Sequence, residues 1–220
     1  TALKPLKKAG ITADFAVAVD SSPKTLPQFA ELDVKGSILL AHGQIIPALP
    51  EIYAGANIFF SASILPGFER WLATAIPPAP RIRVAGTVLS SVIELAAFSG
   101  VSKMILCGSD LAFRNDGQTH ASGSMYDGQK DQGANLLEVE GNWGGKVKTT
   151  KQFSLYIETV NSFLGAAAGK GIQIYNATEG GAALRNCTLV KPDAIPSLLH
   201  DSPLPSDRKS TRLNSSHRIR

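Results

Sequence analysis

Six short runs of apolar residues punctuate the first 180 positions, and each ends on a polar or glycine step. They are Asp14–Val19 before Asp20, Ser37–Ala41 before His42-Gly43, and Asn57–Phe60 before Ser61. Arg81–Ala85 follows, before Gly86-Thr87, then Lys103–Cys107 before Gly108-Ser109-Asp110. The last is Gly171–Tyr175, before Asn176-Ala177-Thr178-Glu179. Runs this short and this continuous in apolarity predict strands buried on both faces, as in a parallel sheet. Helical patterns separate several of them. Thr87–Ser99 sets Leu89, Val92, Ile93, Ala96 and Ala97 on one stripe, with Gly100 behind it. Lys151–Ala168 sets Phe153, Tyr156, Ile157, Val160, Phe163 and Leu164 at helical spacing. Thr1–Gly10 reads as the end of a helix closed by glycine. Strand–helix alternation predicts an α/β fold, Rossmann-like and doubly wound, with a mostly parallel sheet and helices on both faces. Arg114–Gly145 is glycine-rich and polar and reads as a long loop over the sheet, with a short β piece at Leu136–Glu140.

Composition narrows the function classes. The chain of 220 residues carries 22 Lys+Arg against 18 Asp+Glu, a formal charge of +4, with a pI near 9.1. A basic balance hints at an anionic partner. Residues 207–217, however, read as the in-frame translation of a short-read sequencing adapter, so 207–220 are set aside from fold reasoning as a processing scar. Those residues hold Arg208, Lys209, Arg212, Arg218 and Arg220 against Asp207, and their removal leaves 17 basic and 17 acidic residues. The case for nucleic acid then loses its support. The two Trp and nine Phe are scattered without a stacking stripe. With two Cys there is no disulfide framework and no zinc spacing. No apolar run approaches the ~20 residues of a membrane span. The chain opens at Thr1 inside a helical pattern and carries no signal peptide, and truncation at both ends is expected. Residues 1–196 are assigned to one α/β domain lacking its N-terminal part. Residues 197–206 are assigned to a linker or the start of a further region.

In open α/β sheets, ligands bind outside the carboxyl ends of the strands. Six polar endings on one edge therefore predict a cleft lined by small and polar groups. At Ala85-Gly86-Thr87 a strand passes through glycine into a helix start, with Ser90 nearby. Unpaired N–H groups and the positive dipole end there favour a phosphate or carboxylate, the alternative being an ordinary capped helix. Asp110 follows a buried strand and Gly108. It is read as a ligand contact, metal ligand or base, or else as a turn cap. His120, in Gly117-Gln118-Thr119-His120-Ala121, is a base or phosphate contact, or a solvated loop residue. For His42, core packing and ligand contact stand equal. Glu179-Gly180-Gly181 is read as a helix start, with Glu179 aimed at a ligand or stabilising the dipole. Cys107 is read as a buried core residue.

Three blocks in order carry a family resemblance. They are Gly10-Ile-Thr-Ala-Asp-Phe-Ala-Val-Ala-Val-Asp20, then Gly86-Thr-Val with Ile-Leu-Cys-Gly-Ser-Asp-Leu-Ala-Phe113 and Thr119-His-Ala121, and last Tyr175-Asn-Ala-Thr-Glu-Gly-Gly-Ala182. Over roughly residues 1–190 they resemble the central domain shared by motility accessory factor (Maf) flagellin glycosyltransferases and 6-hydroxymethylpterin diphosphokinases of the MptE type. The resemblance implies a sialyltransferase-like fold. It also implies a bacterial, cytoplasmic enzyme moving a nonulosonic acid from a CMP-sugar donor to flagellin Ser/Thr hydroxyls. On that reading Asp20, His42, Ser61, Gly86, Thr87, Ser90, Gly108 and Leu111 bind the nucleotide-sugar, and Asp110, His120 or Glu179 serves as base. The family's Gly-Pro-Ser-Leu turn is absent. So is the histidine that follows the long loop in bacterial sialyltransferases, where this chain has Lys148-Thr149-Thr150. The alternative within the resemblance is diphosphate transfer from ATP to a hydroxymethylpterin, with Asp20 and Asp110 holding Mg²⁺. A non-catalytic nucleotide-sugar-binding module is the third reading.

Overall fold

Each predicted strand run forms a strand, and the strands gather into two parallel sheets. The computed structural model describes residues 2–30, 32, 36–53, 55–62, 67, 71, 74, 81–113 and 136–199. In the first sheet β1 (Phe15–Ala18), β2 (Ile38–His42), β3 (Ala56–Ala62) and β4 (Arg81–Ile82) lie in that order, every neighbouring pair parallel. In the second, β5 (Lys103–Leu106) pairs with Gln173–Asn176, which in turn pairs with Thr188–Leu189, again in parallel. An antiparallel hairpin of β6 (Leu137–Glu140) and β7 (Lys146–Thr149) precedes these last two strands, which are β8 and β9. The architecture is α/β and Rossmann-like. Because all pairing within each sheet is parallel, the strand exits of a sheet share one edge; the six endings expected on a single edge instead fall on two sheets, four in the first and two in the second.

Helices cover these sheets. In α1 (Leu3–Lys8) the chain stops at Gly10, whose φ of 71° lets Ile11 N–H donate back to the Leu6 carbonyl at 2.9 Å. Ala16 and Ala18 of β1 and Leu39 and Ala41 of β2 form one buried face. They pack with Phe29 of α2 (Leu26–Phe29), Leu49 of α3 (Ala48–Ile52) and Tyr53. Phe29 and Tyr53 meet edge-on at 6.1 Å, and the Tyr53 hydroxyl donates to Ser37 Oγ at 2.7 Å, so its polar end is satisfied inside the core. The opposite face of β1–β3 is less covered than continuous apolarity predicts. Val17, Ile38 and Leu40 are half-buried, and Phe15 and Ile58 are exposed.

The second core lies on β5 and β8. Ile93 of α4 (Val88–Phe98) meets Val160, Phe163, Leu164 and Ala167 of α5 (Lys151–Gly169), above Met104, Leu106 and Ile174. Helix α4 also lies against β1 and β4, so it ties one sheet to the other. Only Arg81–Ile82 of the Arg81–Ala85 run pairs as strand. Just past the paired residues, Arg83 bonds Glu94 at 3.1 Å and covers the Phe163 ring at 4.5 Å. The Cys107 expectation is overturned: the residue is exposed. Strand alternation sends Met104 and Leu106 inward, which turns position 107 outward as the ladder ends. A short helix, α6 (Ile195–Leu199), closes the described chain. The Lys103 ammonium donates to its Leu198 carbonyl.

Ile93 is fully buried where the two long helices meet. Ile93→Ala is expected to lower unfolding free energy by about 2–4 kcal/mol in urea titration, with an unchanged denaturant slope.

Candidate functional site

The exits of β5 and β8 are locked to one another. The Ala177 N–H donates to the Leu106 carbonyl at 2.8 Å, adding one rung beyond β8. The Ser109 N–H then donates to Thr178 Oγ1 at 3.0 Å, and the Thr178 N–H to Asn176 Oδ1 at 3.0 Å. Asn176, Thr178 and Ser109 are all buried, so these bonds form away from water, where leaving them unmade would cost about 1–3 kcal/mol each. The chain next crosses itself. The Ala182 N–H donates to the Asp110 carbonyl at 2.7 Å, and Gly181 lies flat on the Asp110 backbone. A Cβ on Gly181 would stand 2.3 Å from the Asp110 carbonyl oxygen, and the Gly181 φ of 80° already favours glycine. Gly180 approaches the carboxylate itself: its Cβ position is 3.8 Å from Asp110 Oδ1. Gly108 has a φ of 67° and open space where its Cβ would stand.

Leu111 takes a φ of 48°, a left-handed conformation that a branched side chain rarely adopts. Its surroundings hold it there. Thr149 Oγ1 donates to the Leu111 carbonyl at 2.7 Å, and the Phe113 N–H to the Lys148 carbonyl at 2.8 Å. Ala112 packs with Ile157 and Ala182 below.

The β6–β7 hairpin completes this edge. Asn142, in its turn, donates through N–H to the Gly181 carbonyl at 3.0 Å and through Nδ2 to the Gly180 carbonyl at 2.5 Å. It accepts from Asn176 Nδ2 at 3.1 Å. Neither Asn142 nor Thr149 was singled out by sequence. The one available signal for Asn142 was its place in Gly141-Asn142-Trp143-Gly144-Gly145, where a polar residue among glycines has a side chain free to bond elsewhere.

Gly86 and Thr87 flank the same region from another side. Gly86 has a φ of 61°, and the Thr87 N–H donates to the Ala85 carbonyl at 2.6 Å, which makes a three-residue γ-turn. The Gly86 Cβ position is 3.3 Å from the Tyr156 ring. Ile157, the next residue of α5, packs on Ala112 and Ala182, so the first turns of α5 separate the Gly86 turn from the Asp110 crossing. Thr87 Oγ1 caps α4 by accepting from the Leu89 N–H at 3.4 Å. Ser90 Oγ donates to the carbonyls of Ala85 and Thr87 at 2.5 and 2.6 Å and is fully buried. The Ser90 hydroxyl is therefore engaged in closing the turn, as are the Thr87, Leu89 and Ser90 N–H groups, so what the helix start offers an anion is its dipole.

The remaining predicted residues divide. Asp20 and His42 follow or end β1 and β2, adjacent strands of the first sheet. Asp20 Oδ1 accepts from the Ser22 N–H at 2.8 Å, a turn-stabilising role that leaves its second oxygen unaccounted for. His42 is buried, its ring 5.6 Å from Phe60. Ser61 sits near the end of β3, its backbone paired with Arg81; its side chain lies outside the described residues, and so does His120. Glu179 is exposed, but no helix begins there: residues 177–183 run irregularly and form a bridge between Ala182 and Gly141. The glycines of Glu179-Gly180-Gly181 serve the close crossing with Asp110 instead of a helix start. Among the described residues no three of His, Cys, Asp and Glu come together as a metal cluster, and no helix is long and apolar enough to cross a membrane. The exposed Cys107 thiol, at the mouth of this edge, is pushed above its ordinary value by partial burial, which disfavours the thiolate.

A Rossmann-like α/β domain with an aspartate whose backbone is pinned at its strand exits is the class these features define. Comparison with known proteins assigns the family. The family model described as 6-hydroxymethylpterin diphosphokinase MptE-like matches residues 1–116, more than half the chain, and the chain belongs to this MptE-like family. No curated protein matches. Among solved structures, the Maf glycosyltransferase from Magnetospirillum magneticum AMB-1 superposes with a TM-score of 0.67 at 16% identity. The match covers 90% of this chain and 31% of that one, so the chain spans less than a third of that protein's length. At this identity the likeness is one of fold.

Two glycines at this edge make opposite demands. Gly181→Ala drives a Cβ into backbone and is expected to cost about 2–4 kcal/mol of stability. Gly108→Ala enters open space and pays only for its positive φ, about 1–2 kcal/mol. Urea unfolding of both variants measures the difference. For Cys107, alkylation by iodoacetamide followed by mass spectrometry is expected to be slower than for free cysteine at pH 7.5. The rate should rise with pH to a midpoint above that of the free amino acid.

Proposed function

We propose that this domain is a glycosyltransferase that binds a CMP-activated nonulosonic acid at the carboxyl edge and passes the sugar to Ser/Thr hydroxyls of flagellin. The observation that carries the reading is Asp110, whose backbone is pinned under Gly181 and whose carboxylate lies beside Gly180 at a strand exit, in a fold shared with a Maf glycosyltransferase. Glycosyl transfer needs a group that takes the acceptor proton and donors that stabilise the leaving phosphate. Asp110 supplies the first, with Glu179 and His120 as the other candidates. The Gly86–Thr87 helix start, through its dipole, suits the second. Asp20, His42, Ser61 and Leu111 are assigned to the donor as further contacts. The protein would act in the cytoplasm, where nucleotide-activated donors are available.

The family description favours a second reading, Mg²⁺-dependent diphosphate transfer from ATP to a hydroxymethylpterin. The residues fit a magnesium ion only in part. One Asp20 oxygen is occupied by the Ser22 N–H, and the described residues bring no third ligand to either aspartate. Magnesium ordinarily binds through one or two carboxylates with substrate phosphates completing its shell. Asp110 or Asp20 would hold it in that way, and it would neutralise phosphate charge.

The test is CMP release on mixing the protein with a CMP-nonulosonate and flagellin, beside AMP release with Mg-ATP and hydroxymethylpterin. Transfer with CMP release is expected, and Asp110→Asn should lower its rate about 10²–10⁴-fold while leaving donor binding by calorimetry within a few-fold. AMP release without CMP release would replace the glycosyltransferase reading with the diphosphokinase one.

A further inference from the structure

We propose that Trp143 is a stacking platform for the base of the nucleotide bound at this edge. It would be a binding residue apart from the groups assigned to phosphate and proton transfer. The proposal rests on the reading of the edge as a nucleotide site but not on which nucleotide occupies it.

Trp143 stands in the β6–β7 turn and is 50% exposed. The tight geometry of the turn is set by its backbone, by Gly144 and Gly145 with φ of 88° and 71° and by the Gly141 N–H bond to the Gly145 carbonyl at 3.0 Å, and does not require an indole. Leaving a large apolar ring in water forgoes the roughly 1.5–3 kcal/mol that burial of a large apolar side chain gains. The turn is also unusually fixed. Its neighbour Asn142 makes three hydrogen bonds, to Gly180, Gly181 and Asn176. The Ala183 N–H donates to the Glu140 carbonyl at 2.8 Å, and Gly141 bridges Ala182. Gly141 is itself packed so closely that a Cβ would meet the Gly144 carbonyl at 3.0 Å. Trp143 is therefore carried one residue from groups that touch Gly180, and Gly180 flanks the Asp110 carboxylate. An aromatic side chain on so fixed a turn loses little further freedom when a ring stacks on it.

The choice of the base over the sugar follows from charge. The face of an indole is the negative side of its quadrupole. A sugar acid would bring a carboxylate toward that face, whereas a nucleobase offers a flat π-surface, and stacking of this kind tolerates any base.

The chain holds two tryptophans, so Trp71→Phe leaves Trp143 as the reporter. CMP and ATP are titrated into this variant, with fluorescence and calorimetry read in parallel. The expected result is quenching that saturates at the calorimetric affinity with at least one nucleotide. In the otherwise wild-type chain, Trp143→Ala should then weaken that nucleotide about 5- to 100-fold and Trp143→Phe less than about 5-fold. Quenching by ATP alone would support the platform while overturning the CMP reading. Binding without quenching, or with affinity unchanged in Trp143→Ala, would overturn the platform and leave the CMP reading standing. Absence of binding to both nucleotides overturns both.

Discussion

The crossing of Gly181 over Asp110 is the contact on which the second half of the structure depends. It brings two chain segments 71 positions apart to backbone contact, and only a residue without Cβ permits the approach. Everything nearby is arranged to preserve it. Thr178 receives the Ser109 N–H just before the crossing, Ala182 returns its own N–H to Asp110 just after it, and Asn142 clamps both glycine carbonyls from the hairpin. Stability and site position are therefore the same set of bonds. Loosening any of them would displace the carboxylate along with the backbone that carries it.

The two cores play unequal parts in this arrangement. The first, built on alanines of β1 and β2 with Phe29 and Tyr53, braces one sheet from one side. The second supports the candidate site, because α5 reaches it twice. Tyr156 limits the space at Gly86, and Ile157 supports Ala112 and Ala182. A single helical turn thus relates the anion-favouring turn to the carboxylate crossing. Helix α4, leaving from Thr87 and packing Ile93 into the same core, fixes the direction of the first of these.

Continuous apolar runs and their polar endings were enough to read the strands and the two long helices. These features follow from local burial and periodicity, which a sequence carries openly. Contacts made across the fold were not readable in the same way. Glu179-Gly180-Gly181 resembles a helix start when seen alone, yet its glycines answer to Asp110, far away in the chain. Strand β7 alternates Lys146, Val147, Lys148 and Thr149, a pattern of an exposed hairpin arm, and its value lies in Thr149 holding the strained Leu111. Cys107 was misplaced because an apolar run does not disclose where its ladder ends. One residue past the last hydrogen-bonded pair, the same side chain faces solvent.

The electrostatics of the edge follow from this geometry more than from composition. Apart from its last 14 residues the chain has equal numbers of acidic and basic residues, so attraction to an anion must be local. Thr87 and Ser90 spend their side chains on capping α4 and closing its turn, and the Thr87, Leu89 and Ser90 N–H groups are bonded within the same turn, which leaves the helix dipole as the positive element at Gly86. The negative element is Asp110, across the first turns of α5. An edge whose positive element is a single helix start suits a ligand with one small anionic group. It is poorly suited to a polyanion, which requires a continuous basic face.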